Sequence, residues 1–415
     1  MILATLTLAK ATPEQTLESR KRTHVQWHRG LDIDVYLQRD AILDDFEHAK
    51  DGKLTTWQAS SRGQISSGLV LIQSLGSWCL VLIPQQPTFS VPVKRRILPQ
   101  VVRSCGFLSS FRYRRHAVCA FPASELGSWG TEQIAYGVAS VFTPERNRRN
   151  GYAHHMMRLL HYVLTDPKNL PPFPAEWGEP PQIPEGHGNA ISSALYSDVG
   201  PFYGGCSPST SPIPTRQSWN IIDPFGTVWD VPNDLPGNVE ENFEWVDTDE
   251  ALDGLWMEDE AFIRKELANE VKDKVLFSYL PARGVSAFQH RLSSFYKHPA
   301  SNGIKWGVRL RRNDTQSLHF ATWTIDPDLT PPTTLIITRI RSDVTMFPNL
   351  LRVIFKCASD NGLKKVEVWN LDPQLAGLAQ EHGGLTELRS VHLPALAWYG
   401  PSEVEWRYNE RFCWC

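Results

Sequence analysis

Residues 144–160 read PERNRRNGYAHHMMRLL, and three arginines, Arg146, Arg148 and Arg149, crowd what looks like the start of a helix. The N-terminal end of a helix is the positive pole of its dipole, so cations gathered there are unfavourable unless an anion joins them. The neighbouring sequence fixes the local structure. Upstream, 134–143 reads IAYGVASVFT, a short apolar and β-branched run that suits a strand buried on both faces. Downstream, Tyr152, Met156, Leu159, Leu160 and Val163 recur at helical spacing as far as Leu164, and Pro167 ends the run. The tract 167–188 carries seven prolines and reads as a long loop. Residues 190–196, AISSALY, then predict another strand, and 200–206, GPFYGGC, a turn or short helix at its end.

A strand running through a glycine turn into a helix directs unpaired backbone N–H groups and a positive potential at one point, which is an anion site. Gly151 permits close approach or an unusual backbone angle, and Arg148 and Arg149 bring paired donors suited to phosphate oxygens. The spacing is neither GxGxxG nor GxxxxGK[ST], so a dinucleotide or P-loop nucleotide is not expected.

Composition confines that charge to a local role. Lys and Arg number 42 against 45 Asp and Glu, a net charge of -3, which gives no overall basic field for nucleic acid. The length of 415 residues predicts two to three domains. Seven cysteines without a CxxC pair read as free thiols in a reducing compartment, and no zinc spacing is present. The start of the chain, with Ala4, Leu6 and Leu8 alternating with Thr5 and Thr7, suits a strand rather than a signal peptide, and the protein reads as cytosolic. Residues 13–51 look mostly helical, with TPEQ as a capped start. The uncharged stretch 65–83 splits into GLVLI and WCLVLI around QSLGS, which favours two buried strands over a membrane span.

The turn also matches R-x-x-G-x-A, Arg148 to Ala153, and so resembles the pyrophosphate loop of the GNAT superfamily of acetyl-CoA-dependent N-acetyltransferases. The stretches ASVFTPERNRRNGYAHHMM, PPFPAEWGEPP, LYSDVGPFYGGC and HLPALAWYGPSEVEWRYNERFCWC, with DGKLTTW at 51–57, are together similar to the fungal lysine N-acetyltransferase family. Residues 60–100 lie outside the resemblance, as an insertion or as translated intron.

The resemblance implies an α+β GNAT fold, a mixed and mostly antiparallel sheet flanked by helices, over residues 1–245. A second, degenerate GNAT-like domain over 246–415 is read from TTLIITRI, PNLLRVIFKCAS and KVEVWNL, which repeat the strand, helix, strand order without an R-x-x-G-x-A turn. It further implies that Val141, Phe142 and Thr143 pair with the pantetheine arm of acetyl-CoA and that Arg148, Arg149, Asn150, Gly151, Tyr152 and Ala153 hold its pyrophosphate. A backbone N–H near Val141 would meet the acetyl oxygen, and Tyr203 would protonate the leaving thiolate, a phenol being a suitable acid for that task. For the base, Glu132 and Tyr136 are the nearest titratable groups, each better suited to a structural role. Trp398, Tyr399, Glu403, Glu405 and Trp406 either pack between the halves or face the amine pocket. The implied acceptor is a small amine, the side-chain amine of L-lysine first, with no metal, nucleic-acid or membrane partner. Another small amine, or a fold retained without activity, are the alternatives.

Overall fold

In a computed structural model the described residues are 3–61, 72–74, 77–79, 109–121, 131–211, 213–234, 240–270, 273–295, 305–311, 317–325 and 333–414. The chain opens with β1 (Leu6–Lys10) and then α1 (Pro13–Trp27). The predicted capping box forms in full: Thr12 Oγ1 accepts from the Gln15 N–H at 3.3 Å, and Gln15 Oε1 accepts from the Thr12 N–H at 2.8 Å. Helix α2 (Ile33–Asp44) begins on Asp32, whose carboxylate takes the N–H groups of Asp34 and Val35.

Next come β2 (Leu54–Ser61), the short antiparallel pair β3 (Ile72–Ser74) and β4 (Ser77–Cys79), and then β5 (Ser109–Ala120) and β6 (Thr131–Phe142). The pair β3–β4 falls on either side of Leu75 and Gly76, which with the rest of 65–83 lie outside the described residues. No helix among the described residues is long and apolar enough to cross a membrane. Helix α3 (Tyr152–Leu164) follows β6, and β7 (Ser192–Ser197) returns parallel to it. Met156, Met157, Leu159, Leu160, Val163 and Leu164 of α3 are fully buried against the sheet, each contributing roughly 1.5–3 kcal/mol by leaving water. A 3-10 turn at Gly200–Gly205 caps the end of β7.

The second half holds β8 (Asn220–Ile221), β9 (Phe225–Asp230), β10 (Phe243–Val246), α4 (Asp249–Asn269), β11 (Val275–Tyr279) and α5 (Ala287–Ser294). After these run β12 (Gly307–Leu310), β13 (Phe320–Ile325), β14 (Thr334–Arg341), α6 (Phe347–Asp360) and β15 (Lys365–Trp369). The chain closes with α7 (Ala376–Glu381), β16 (Leu385–Leu388), β17 (Leu393–Trp398) and β18 (Val404–Trp406).

The main sheets are a nine-stranded one, with path β1-β2-β5-β6-β7-β17-β8 and β11 and β18 attached at β5, and a seven-stranded one, β10-β12-β13-β14-β15-β9-β16. Each contains a strand, helix, parallel strand unit, β6-α3-β7 in the first and β14-α6-β15 in the second. This is the repeat anticipated from sequence, and it makes the chain α+β with two mixed sheets flanked by helices.

Strand membership crosses the expected boundary at 245/246 in both directions. Strand β17 pairs antiparallel with β7 from Leu393↔Ser197 to Trp398↔Ser192, whereas β9 pairs antiparallel with β15 from Lys365↔Asp230 to Trp369↔Gly226. Each half thus contributes a strand to the other's sheet. The reason is burial: all six residues of β17 are buried and strongly apolar, and the open edge beside β7 is where that surface can leave water.

The second half is itself knit by buried ion pairs. Arg339 of β14, itself buried, pairs with the fully buried Asp259 of α4 (Nε to Oδ2, 2.8 Å) and with Glu410 of the C-terminal segment. Glu410 Oε2 also accepts the backbone N–H of Ile340 at 2.8 Å. An amide on the outer part of β14 is therefore already paired within the protein.

Candidate active site

Strands β6 and β7 are paired through only three residues, Ala135↔Ser192 to Gly137↔Ala194, and separate beyond them. A bulge in β6 accompanies the separation. Ser109 of β5 faces Phe142 and Phe111 faces Ala139, so Ser140 and Val141 oppose the single residue Ser110, and Ser140 takes φ +54°. A bulge bends its strand and adds local twist. The wedge between the strands opens into a cavity of about 680 Å³.

Val138 to Thr143 form one side of this cavity, with Arg148 and Ala153 at the turn and α3. Leu195, Tyr196, Asp198, Phe202 and Tyr203 contribute from β7 and the 3-10 turn. Helices α1 and α2 supply Trp27, Tyr36 and Arg39, and the second half supplies Phe288, His392 and Trp414. None of these last six was singled out from the sequence.

The turn from β6 to α3 is built as its glycine suggested. Gly151 is left-handed (φ +76°) and is the N-cap of α3, offering no capping side chain, and the first turn of α3 holds no acid. A Cβ there would sit 3.5 Å from Leu3 Cδ1, an ordinary contact, so the requirement for glycine is conformational. Arg149 is also left-handed (φ +65°). Arg148 Nε donates to Thr143 O at 3.1 Å and Asn150 Nδ2 to Arg148 O at 3.1 Å, which pins the loop to the end of β6. Arg148, Arg149, Asn150 and Gly151 are exposed, while the Tyr152 side chain enters the core.

Tyr203 reaches the cavity from the 3-10 turn, packs edge-on to Phe202 at 5.1 Å, and has no hydroxyl partner among the described residues. Burial first, and then the nearby Cys206 and Asp198, push its phenol well above the usual range, so it stays protonated. The turn carrying it is held from α3. His154 Nε2 lies 2.7 Å from Gly205 O, and His161 joins a buried chain of hydrogen bonds. The Trp219 indole N–H donates to Ser193 Oγ (3.1 Å), and Ser193 Oγ lies 2.9 Å from the Tyr399 hydroxyl. That hydroxyl is 2.9 Å from His161 Nδ1, and His161 Nε2 is 2.8 Å from Cys206 O. Every group is satisfied if His161 is neutral with its proton on Nε2, and burial lowers its pKa to about 3.

The sequence candidates for a base lie elsewhere. Glu132 is engaged by Arg264 (2.8 Å) and Arg283 (2.7 Å), and the buried Tyr136 donates to Asn189 Oδ1 at 2.8 Å; neither lines the cavity. Trp398, Tyr399 and Trp406 pack in the core and do not line it either. The carboxylates that do are Asp40 and Asp44, both paired to Arg20, and Asp198. Asp198 accepts the His392 backbone N–H at 2.8 Å. Although burial opposes it, contact with His392, helped by Arg29, holds its carboxyl below the usual range. Asp198 was quoted within LYSDVGPFYGGC, but nothing local marked it: its partner is on the far half of the chain.

No curated protein matches the chain. Solved chains resemble it at low identity. A conserved protein of Enterococcus faecalis V583 described as a probable N-acyltransferase, and a GCN5-related N-acetyltransferase from Kribbella flavida, are each 10% identical, with TM-score 0.49 over 95% of this chain and 72% of theirs. A GCN5-related N-acetyltransferase from Anabaena variabilis is 10% identical over 95% of this chain and 73% of its own, with TM-score 0.46. Residues 231–415, which span the β14-α6-β15 repeat and supply His392 and Trp414 to the cavity, match the family model of the LYC1 GNAT-like C-terminal domain.

Proposed function

We propose that the chain is an acetyl-CoA-dependent N-acetyltransferase that passes the acetyl group directly to a small amine, the side-chain amine of L-lysine being the leading acceptor. One observation carries this reading: the wedge between β6 and β7 runs from the uncapped, basic start of α3 to a half-buried, protonated Tyr203.

The residues present suit the coenzyme. The register of β6 with β7 ends at Gly137, so the backbone of Val141 and Phe142 and the N–H of Thr143 suit an extended pantetheine arm, the Thr143 carbonyl accepting from Arg148. Arg148, with the amides from Arg149 to Ala153, suits the pyrophosphate, since α3 has no acid in its first turn to compete for them. Acetyl-CoA supplies the activated thioester. A backbone N–H near Val141 would stabilise negative charge developing on the acetyl oxygen, and Tyr203 would give its proton to the departing sulfur.

Lysine as acceptor rests on the resemblance of the separated stretches between 138 and 415. The cavity carries both signs of charge, Asp44 and Asp198 with Arg29 and Arg39, which suits a zwitterionic amino acid. Its aromatic side chains, Trp27, Tyr36 and Trp414, also suit a larger amine, and this keeps a second acceptor class in view. Thioester consumption measured against L-lysine, ornithine, a diamine and a lysine peptide tests the reading. Turnover with lysine supports it as stated, and turnover with another amine alone reassigns the acceptor. No turnover with any amine would remove the activity.

A further inference from the structure

The proposed reaction needs a group to take a proton from the acceptor ammonium, and the two sequence candidates are engaged elsewhere. Within the cavity a different pair is poised for this. His392 lies between β16 and β17, in the half of the chain opposite the coenzyme turn, yet lines the same cavity as Tyr203. Its ring Nδ1 is 2.9 Å from Asp198 Oδ1, at ion-pair distance though not aligned as a hydrogen bond. Nε2 has no hydrogen-bond partner among the described residues.

The backbone of His392 is left-handed (φ +50°), an unusual state for a residue with a side chain. It is held at both polar groups: its N–H donates to Asp198 Oδ1 (2.8 Å), and its carbonyl accepts from Arg389 Nη1 (2.7 Å). The ring is stacked on Trp369 at 5.8 Å and meets Trp414 edge-on at 5.6 Å. A strained residue fixed from several elements at the rim of a cavity is a sign of function.

We propose that His392, oriented by Asp198, is the general base of acetyl transfer. This rests on the N-acetyltransferase reading above. The carboxylate beside Nδ1 favours the tautomer with its proton on that nitrogen, which leaves the Nε2 lone pair for the substrate. The acceptor ammonium gives one proton to Nε2. The freed nitrogen lone pair forms the C–N bond to the acetyl carbon while the C–S bond breaks. The sulfur takes the Tyr203 proton, the surplus proton on the new amide nitrogen returns to the Tyr203 oxygen, and His392 releases its proton to water, one per turnover.

Other charged groups lie on the two indoles that hold this ring. Arg29 lies over Trp414 at 5.9 Å, Arg411 over both Trp369 (4.5 Å) and Trp414 (4.9 Å), and Arg389 over Trp369 at 3.9 Å. Glu367 accepts from the Trp369 indole N–H at 2.7 Å.

The test compares wild type with His392→Gln, using the best acceptor of the amine panel. The expected result is a fall in kcat of about 100-fold or more, unchanged acetyl-CoA affinity, and loss of the acid limb that wild type shows in log kcat/KM against pH. A variant that keeps wild-type turnover, or keeps the acid limb, overturns the assignment while leaving the acetyltransferase reading intact. A wild type that consumes no acetyl-CoA with any amine overturns both. Should the glutamine variant not fold, Asp198→Asn addresses the same pair, and wild-type turnover in it overturns the proposal.

Discussion

Tyr203 is half-buried with its hydroxyl protonated, and that gives its role a sharp test. Replacing it by Phe removes one hydroxyl while keeping the ring that packs against Phe202. Turnover should fall roughly 100-fold or more, with little change in acetyl-CoA affinity, as measured by single-turnover kinetics beside direct binding. Unchanged turnover would take Tyr203 out of the mechanism. At this scale the sequence was informative where a residue's meaning is local. Gly151 and Arg148 stood out through the turn they share, whereas Tyr203 was named only through the family resemblance. Asp198 and His392 did not, because their significance comes from a contact between the end of β7 and the start of β17. Composition and spacing carry no record of such a pairing.

Elements were legible in the same proportion as their order was local. The helix expected to reach Leu164 is α3, and the run TTLIITRI to KVEVWNL is β14, α6 and β15, each within a residue or two of its expected bounds. Periodicity and capping act over a few residues, so they can be read from one chain. The opening of β6 towards a ligand was expected only through the resemblance, which implied that Val141, Phe142 and Thr143 pair with the pantetheine arm. Its physical signs, a bulge at Ser140 and the short register with β7, depend on partners distant in sequence.

The loop between β6 and α3 also yields a prediction. Arg148→Glu reverses charge at the uncapped start of the helix and breaks the bond to Thr143 O. Acetyl-CoA affinity should drop by about 10-fold or more, the order of a charge-assisted hydrogen bond, and the loss should shrink at high salt. Isothermal titration calorimetry at two ionic strengths would measure both effects. Intact binding would remove the turn from the site. The second repeat shows the converse arrangement. Glu410 already takes the Ile340 amide, and Arg339 and Arg341 with Asp259 fill the space beside β14 with paired charge. Together with the missing R-x-x-G-x-A turn, this sets the second repeat apart from the first.

Across the whole molecule, buried histidines set how stability responds to acid. Burial lowers His48 and His161 to about 3 and His290 to about 4, whereas in the unfolded chain a histidine titrates near 6.5. Below about pH 6.5 the unfolded chain therefore binds protons that the folded protein refuses. The stabilising contribution is complete above that pH and is lost as the pH falls towards 3–4. The slope approaches about 1.4 kcal/mol per pH unit for each histidine. Thermal unfolding followed from pH 7.5 down to 5 should show a falling midpoint, and a flat profile would mean these side chains are charged in the folded state.

The exchange of β9 and β17 between sheets also has a consequence for how the protein is made. When β7 leaves the ribosome its neighbour β17, starting at Leu393, has not yet been synthesised. At about 5–20 residues per second, that edge waits on the order of 10–40 s. During that interval the nascent chain presents an unpaired strand edge, the kind of surface that chaperones shield and that aggregates when they do not. The same delay acts as a safeguard: the turn carrying Arg148 and Ala153 is made early and His392 and Trp414 long after it, so a chain interrupted between them cannot carry a complete cavity.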